Sequence, residues 1–420
     1  MGGRTEAGRR SKAGATAPAN ARARRSLWAR VHRWLGLGLG LWFLLVGLTG
    51  ALLVWRDAVD ALLNPRLFAA GPAPAGPLPL ADWIEQARSA HELGRVERVR
   101  LPLAAGDPLR LQFRTAAVRV ESERAEVFVD PATGAVLGLR ALEGWSLAPP
   151  HALRTIYEFH RNVLLGEPGT NLVGVAGLLL ATSAVSGAVL AWRRSGGGGG
   201  HRWRRLFQVS WRANAARVAL DLHRSAGVAI VVVLLLATLT GATLVWLNYV
   251  RDIVDRVSRV ESIPVLPFRA MARGQELLDL ATLAQRAQAA QPGKAISEIR
   301  LSERGLTGVL FQLRAEGDVH RLGDTIVWLH PATGEVLAER SARTRSGGET
   351  FMHWLLPLHV GSAFGTGGKV AMAAAGVAPL LLALTGTWLW WRKRRAERGA
   401  ERSGGRAGGQ HAGRAAGPPG

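Results

Sequence analysis

Four stretches of the chain, Trp34–Trp55, Leu172–Trp192, Ala226–Trp246 and Val370–Trp391, are apolar around every helical face and carry no ionisable residue. Each reaches the roughly 20 residues that a helix rising about 1.5 Å per residue needs to cross a bilayer. Between them the period changes. After the first span, Leu80–Ala90 has the apolar spacing of a helix, and Val96–Leu101, Leu109–Arg114, Glu126–Val129 and Ala135–Leu139 read as extended segments. After the third span the same order returns, with a helix over Leu277–Ala290 and strands over Ile296–Leu301, Gly308–Leu313, Thr325–Leu329 and Glu335–Ala338. A Pro-Ala-Thr-Gly turn closes a hairpin in each region, after Asp130 in one and His330 in the other. Because that first turn residue differs, the turn is expected to do structural work only.

This recurrence extends to single residues. His32-Arg33 precedes Leu48-Thr49-Gly50 with the spacing at which His223-Arg224 precedes Leu239-Thr240-Gly241, and His160 precedes Gly187 with the spacing at which His359 precedes Gly386. Each half is therefore one span, an external α+β domain and a second span, giving a polytopic protein whose four-helix bundle is built from two tandem repeats about an axis along the membrane normal. Every span also carries a hydroxyl-Gly pair with a Trp five residues on: Thr49-Gly50, Ser186-Gly187, Thr240-Gly241 and Thr385-Gly386. Such small pairs let helices approach closely, or leave room for a flat ligand beside the backbone; packing is the simpler account. The tryptophans fall where an interfacial belt would put them.

The charge changes the picture only once it is located. The chain has 53 Lys+Arg against 31 Asp+Glu. Of these, 25 basic residues and only four acids (Glu6, Asp221, Glu397 and Glu401) lie in residues 1–33, 193–225 and 392–420, while the long connections hold 28 and 27. Nearly all of the +22 thus sits on one side of the membrane. That is the positive-inside pattern, with both termini and the 193–225 loop cytoplasmic and the long connections periplasmic, and it removes nucleic acid as the reason for the charge. The apolar run after the basic N-terminus has the length of a retained anchor rather than a cleaved signal. The Arg/Gly/Ala-rich residues 1–26 and 398–420 and the Gly196–Gly200 run have the composition of disordered or flexible chain. With no cysteine, disulfide scaffolds, zinc-thiolate sites, iron–sulfur clusters, cysteine nucleophiles and covalent haem attachment are all excluded.

Four of the eleven histidines occupy matched positions. His32 and His223 stand at the cytoplasmic starts of spans one and three. A continuous helix from His160 to Gly187 would be about 40 Å long, more than the hydrocarbon thickness. Gly166-Glu167-Pro168-Gly169 is expected to break it, leaving His160 on a short helix at the outer boundary, with His359 likewise placed before Gly365-Thr366-Gly367-Gly368. Two ligands of one kind, related by a twofold at equal depth, suit a tetrapyrrole with two open axial positions. The expected iron ligands are thus His32 with His223 at one face and His160 with His359 at the other, holding two b-type haems. His353 is a rival to His359, but its counterpart is Arg154. His91, His151, His320 and His330 lack matched partners and are expected at the surface, and His201 and His411 in solvated segments.

His32-Arg33-Trp34 with Leu48-Thr49-Gly50, Phe159-His160-Arg161-Asn162 with Leu165-Gly166-Glu167-Pro168-Gly169, Leu222-His223-Arg224, Pro357-Leu358-His359-Val360-Gly361 with Ala363-Phe364-Gly365, and Leu384-Thr385-Gly386 ending in Trp390-Trp391-Arg392 form a specific set. Over about residues 27–395 the chain resembles the PepSY-associated transmembrane family of bacterial inner-membrane proteins, which includes ferric-siderophore reductases. The resemblance implies four spans, two periplasmic PepSY-like domains and, from its reductase members, two haems held by membrane histidines, onto which the four matched positions map. The expected layout is a disordered basic N-terminus (1–26), transmembrane helix 1 (27–55), PepSY-like domain 1 (56–150), a short helix with transmembrane helix 2 (151–192) and a cytoplasmic basic loop (193–222). Transmembrane helix 3 (223–247), PepSY-like domain 2 (248–345), a short helix with transmembrane helix 4 (346–391) and a disordered cytoplasmic tail (392–420) follow.

The leading function is then an inner-membrane di-haem oxidoreductase that takes electrons from a cytoplasmic-side donor or quinol and passes them to a periplasmic acceptor, with ferric-siderophore iron as the acceptor class. No side chain is needed as a catalytic acid or base. A membrane-anchored PepSY binding or regulatory module without redox activity is the alternative. A transporter ranks third, since the spans offer no buried charge and few breaks.

Overall fold

The computed structural model describes residues 19–74, 76, 78–91, 93–115, 124–195, 199–261, 276–301 and 308–412. In chain order the first elements are helices α1 (Ala19–Gly38), α2 (Gly40–Val54), α3 (Arg56–Leu63) and α4 (Leu80–Ala90), then strands β1 (Leu93–Arg100), β2 (Leu109–Thr115), β3 (Arg124–Val129) and β4 (Val136–Ala141). Helices α5 (Pro149–Asn162), α6 (Gly166–Arg194), α7 (Gly199–Phe207), α8 (Ala215–Val245), α9 (Leu247–Asp255) and α10 (Leu280–Ala290) follow. The chain continues through β5 (Ala295–Arg300), β6 (Val309–Arg314), β7 (Thr325–Leu329) and β8 (Val336–Arg340) to helices α11 (Gly347–Val360) and α12 (Gly365–Ala412).

Among the described residues three helices are long and apolar enough to cross a membrane, namely α6, α8 and the stretch Ser362–Gly399 that holds most of α12. A fourth span exists only when α1 and α2 are taken together. The expected unbroken helix over Trp34–Trp55 is therefore corrected. The chain leaves helical geometry at Leu39, inside Gly36-Leu37-Gly38-Leu39-Gly40, where closely spaced glycines each weaken the helix by about 1 kcal/mol relative to alanine. A second correction concerns the break after His160. It falls at Val163 and Leu164, both left-handed with φ of 48° and 63°, while Pro168 sits in the first turn of α6, where its missing N–H leaves no bond unmade. Helix also replaces expected disorder: α1 begins at Ala19, α7 forms within the basic loop and α12 continues to Ala412. Alanine and arginine are strong helix formers, and no proline interrupts these stretches. Residues 1–18, Gly196–Gly198 and residues 413–420 lie outside the described residues, as do the side chains of His201 and His411.

The chain divides into two compact units. One comprises Met1–Gly40, Thr182–Val231 and Leu382–Gly420, and the other Leu41–Ala181 and Val232–Leu381. In the second unit the eight strands form a single antiparallel sheet in the order β4-β3-β2-β1-β5-β6-β7-β8. Its centre is the pair β1–β5, with Val99 opposite Ile299. Strict alternation sends Leu109, Leu111 and Phe113 of β2 and Val309, Phe311 and Leu313 of β6 to one face. There they join Val127, Val129, Val327 and Leu329 in one core, covered by α4 and α10 through Ala87, Leu283 and Ala287. The opposite face is mainly polar, with the rings of Phe128 and Trp328 set among arginines.

Both Pro-Ala-Thr-Gly turns end in a left-handed glycine, Gly134 (φ 75°) and Gly334 (φ 68°). Asp130 Oδ1 accepts from the N–H of Ala132 at 3.1 Å, and His330 Nδ1 accepts from the N–H groups of Ala332 and Thr333 at 3.2 Å. Carboxylate and imidazole thus perform the same task of satisfying turn amides. His330 is 8% exposed, not at the surface as expected, because this task takes it into the sheet.

Candidate functional site

In the first unit, His32 on α1 and His223 on α8 face one another with ring centroids 6.0 Å apart and planes at 81°. His32 Nδ1 lies 3.0 Å from the Ser183 carbonyl of α6 and 3.3 Å from Ser186 Oγ. A carbonyl can only accept, so Nδ1 carries the proton and Nε2 keeps a lone pair. His223 Nδ1 lies 2.9 Å from Thr385 Oγ1 of α12, whose own O–H is turned to the Leu382 carbonyl at 3.3 Å. The hydroxyl therefore accepts from His223, and the tautomer is the same. Beside His223, the fully buried Asp221 accepts from the Ser210 N–H at 3.2 Å and from Arg217 Nε at 3.1 Å, fixing the start of α8 to the preceding loop.

The second unit repeats this arrangement with other supports. His160 on α5 and His359 on α11 face one another with ring centroids 6.3 Å apart and planes at 46°. His160 Nδ1 donates to the Val46 carbonyl of α2 at 3.0 Å, with Thr49 Oγ1 at 3.3 Å. His359 Nδ1 donates to the Ala237 carbonyl of α8 at 3.0 Å, with Thr240 Oγ1 at 3.2 Å. Helices α5 and α11 lie outside the candidate spans, and burial holds both imidazoles below their ordinary value. His359 falls to about 4, with the neighbouring His160 pushing the same way. Both rings are consequently neutral at pH 7, the form that binds metals.

The hydroxyl-Gly pairs are the seats of these rings. A Cβ on Gly187 would stand 2.8 Å from His32 Cε1, and one on Gly386 would stand 3.2 Å from His223 Cε1. The corresponding distances are 2.8 Å from Gly50 to His160 Cε1 and 3.0 Å from Gly241 to His359 Cε1. In each case the glycine leaves space for the imidazole and the preceding hydroxyl touches its Nδ1. Close helix approach, which the sequence offered as the simpler reason for these pairs, is instead made by Gly47 and Gly376, where a Cβ on either would lie 2.5 Å from the other's carbonyl oxygen. Which span receives which ring depends on tertiary contact, so no local pattern announces it.

The geometry can serve metal binding. Metal–imidazole bonds of about 2.0–2.1 Å, added to about 1.1 Å from ring centre to nitrogen, set two opposed rings about 6.3 Å apart across one ion. Both pairs sit near that separation. Each ring also donates its second nitrogen to a fixed acceptor, which orients the ligand and raises its basicity.

His353, the rival ligand, does not face His160. Its Nε2 lies 3.2 Å from Asp324 Oδ1, and His320 Nε2 donates to the His353 carbonyl at 2.8 Å. Asp324 accepts from the backbone N–H groups of His320 at 3.0 Å and Val319 at 3.1 Å. Against the opposing effect of burial, His353 and these amides bring its carboxyl down to about 2. The ligand-type atoms of His320, Asp324 and His353 all lie within 4.8 Å of one another. His320 is thus part of an inward-facing cluster that fastens the β6–β7 connection to α11. It has no counterpart in the first half of the chain, so symmetry could not reveal it.

The sequence model of the PepSY-associated TM region matches residues 29–393. No curated protein matches the chain.

Proposed function

The chain belongs to the family of the PepSY-associated TM region, and from that premise we propose that it is an inner-membrane di-haem b-type electron-transfer protein. In this reading the four spans form a bundle of two repeats, with both termini cytoplasmic and the PepSY-like domains periplasmic. Electrons come from a cytoplasmic-side donor or quinol and leave to a periplasmic acceptor, with ferric iron in a siderophore as the acceptor class. The observation that carries the reading is the doubled site, two pairs of facing imidazoles at 6.0 and 6.3 Å with every Nδ1–H tied to an acceptor and every Nε2 left with its lone pair.

His32 with His223 would hold one haem iron and His160 with His359 the other, and the bound haems would supply reversible one-electron chemistry. The residues around them do the rest. Ser183, Val46 and Ala237 accept the Nδ1 protons through their carbonyls and Thr385 through its hydroxyl, so no ring can turn without losing a bond. Gly50, Gly187, Gly241 and Gly386 leave the space the rings occupy. Burial keeps water from His160 and His359 and keeps both rings uncharged.

The test is delivery of electrons. Purified protein reduced with dithionite, freed of excess reductant and mixed with a ferric hydroxamate chelate and a ferrous trap, should lose its reduced haem spectrum as trapped Fe(II) appears in equal amount. Haem that stays reduced would remove the acceptor assignment, and protein without any haem after expression with adequate haem supply would remove the electron carrier altogether.

A further inference from the structure

The polar face of the sheet carries an unusual concentration of arginine at its centre. Strand register places Arg110 of β2 directly opposite Arg100 of β1, and Arg98 of β1 directly opposite Arg300 of β5. Like charges directly opposed across strands are destabilising, so two such pairs side by side need compensation. One carboxylate supplies it. Glu298 of β5, completely buried, meets Arg100 at 2.9 Å and Arg98 at 3.7 Å and also bonds Arg300.

Arg110 is left out of this arrangement. It is only 6% exposed, and among the described residues its guanidinium has neither ion pair nor hydrogen bond. It rests over the rings of Phe68 and Phe128, 5.0 and 5.6 Å from their centroids, contacts that fix its plane and leave its N–H groups unspent. Nearby carboxylates are already engaged: Glu126 and Asp60 are both bound to Arg140, and Asp57 pairs with Arg321 at 2.9 Å. Burial, together with the charges of Arg100 and Arg321, holds the Arg110 guanidinium below its ordinary value, opposed by Glu126 and Asp57. A buried guanidinium facing that of Arg100, in a row where Arg100, Arg98 and Arg300 share the single carboxylate of Glu298, presents forked donors for more anionic oxygen than the protein provides. The side chains of Arg98, Arg100 and Arg300 remain 37%, 20% and 45% exposed, so a soluble ligand can reach the group.

We propose that Arg110, Arg100, Arg98 and Arg300 form a binding site for a soluble polyanion bearing carboxylate-type oxygens. In the role that rests on the electron-transfer reading, this ligand is an anionic ferric chelate awaiting reduction. The site's chemistry does not depend on haem, which makes it separately testable.

The probe is gallium(III) citrate, a redox-inert chelate, titrated calorimetrically into the purified full-length haem-loaded protein. One saturable site per chain is expected, weakening as salt rises. Arg110→Gln and Arg100→Gln should each weaken binding about tenfold or more, with haem content and spectrum unchanged, and Arg88→Gln on the far face of α4 should have no effect. Should Arg110→Gln fail to fold, the partly exposed Arg300→Gln carries the same expectation. His160→Ala should keep gallium citrate binding while losing one haem, and wild-type protein that binds gallium citrate but carries no haem would leave this site standing and defeat only the electron carrier. Absence of saturable binding, or undiminished binding by the folded arginine variants, would overturn the proposal. Displacement of the chelate by phosphatidylglycerol in nanodiscs, absent with phosphatidylcholine, would assign the arginines to a lipid phosphate and overturn it as well.

Discussion

The two imidazole pairs share their chemistry and differ in what holds them. At the first, both histidines ride on helices that enter the candidate spans, α1 and α8. At the second, both ride on short helices, α5 and α11, that emerge from the sheet. Asn64 Nδ2 donates to the Pro149 carbonyl at 3.0 Å, and Arg140 of β4 reaches Asp60 of α3 at 3.0 Å, so the start of α5 is fixed by the sheet domain. The start of α11 is held by the Ser346 capping box, by Arg340 of β8 against Glu349 at 3.2 Å, and by the His320–Asp324–His353 cluster. Placement of the imidazoles is thus a matter of spans at one pair and of sheet-domain packing at the other. A perturbation in the sheet should reach the second pair and spare the first.

The largest separation should come from the seats. Gly50→Val puts methyl groups where His160 stands and should remove the second haem while leaving the first, halving haem per chain. Gly386→Ala, whose Cβ would lie 3.2 Å from His223 Cε1 instead of 2.8 Å, should weaken the first haem without abolishing it. Haem quantified by pyridine haemochrome distinguishes the two, and equal losses would break the comparison.

Next is Asp60→Ala. It strips Arg140 of one of its two carboxylates in a buried setting, at a cost of about 3–5 kcal/mol. Thermal unfolding should occur at lower temperature, and the spectrum of the second haem should shift while that of the first holds. A uniform shift of both haems would deny that the sheet acts on one pair only.

Asp324 gives a pH-dependent contrast. Its carboxyl sits near 2 in the folded protein against about 3.9 unfolded, so the unfolded state binds more protons as pH falls. The stability it contributes is fully present above about pH 4 and is lost as pH falls through 2. Asp324→Asn should flatten the acid limb of the unfolding curve over that window. A limb of unchanged steepness would show that the cluster does not anchor α11.

The smallest effects belong to the hydroxyls. Thr385→Val leaves the His223 N–H to the Leu382 carbonyl alone, and Thr49→Val leaves the His160 N–H to the Val46 carbonyl, so each should cost about 1 kcal/mol of haem affinity or less, with Thr385, the closer hydroxyl at 2.9 Å against 3.3 Å, the larger. Haem release to apomyoglobin would rank the two variants.

Much of this architecture was legible in the chain. The alternation in Leu109-Arg110-Leu111-Gln112-Phe113 gives a strand with one buried face, and α4 and β7 have the bounds their patterns suggest. Matched spacing singled out His32, His160, His223 and His359. What stayed hidden depends on contacts between distant segments. Nothing in Thr49-Gly50 says that His160 will lie against it, and nothing in β1 or β5 says that they pair. Val163 and Leu164 adopt left-handed geometry that β-branched and bulky residues disfavour, so the local sequence points instead to the glycines and proline that follow. His320 and His330 lack repeat partners, which by sequence alone places them at the surface, yet each is drawn inward by backbone groups needing a partner, the His353 carbonyl in one case and the turn amides in the other.

The most direct test counts haem in the wild type and in His32→Ala, His160→Ala, His223→Ala and His359→Ala, all purified alike. Two haems per chain in the wild type and one in every variant, with His32→Ala and His223→Ala losing the same spectral component and His160→Ala and His359→Ala the other, is the result expected. A wild type without haem, or variants that retain both, would contradict the account.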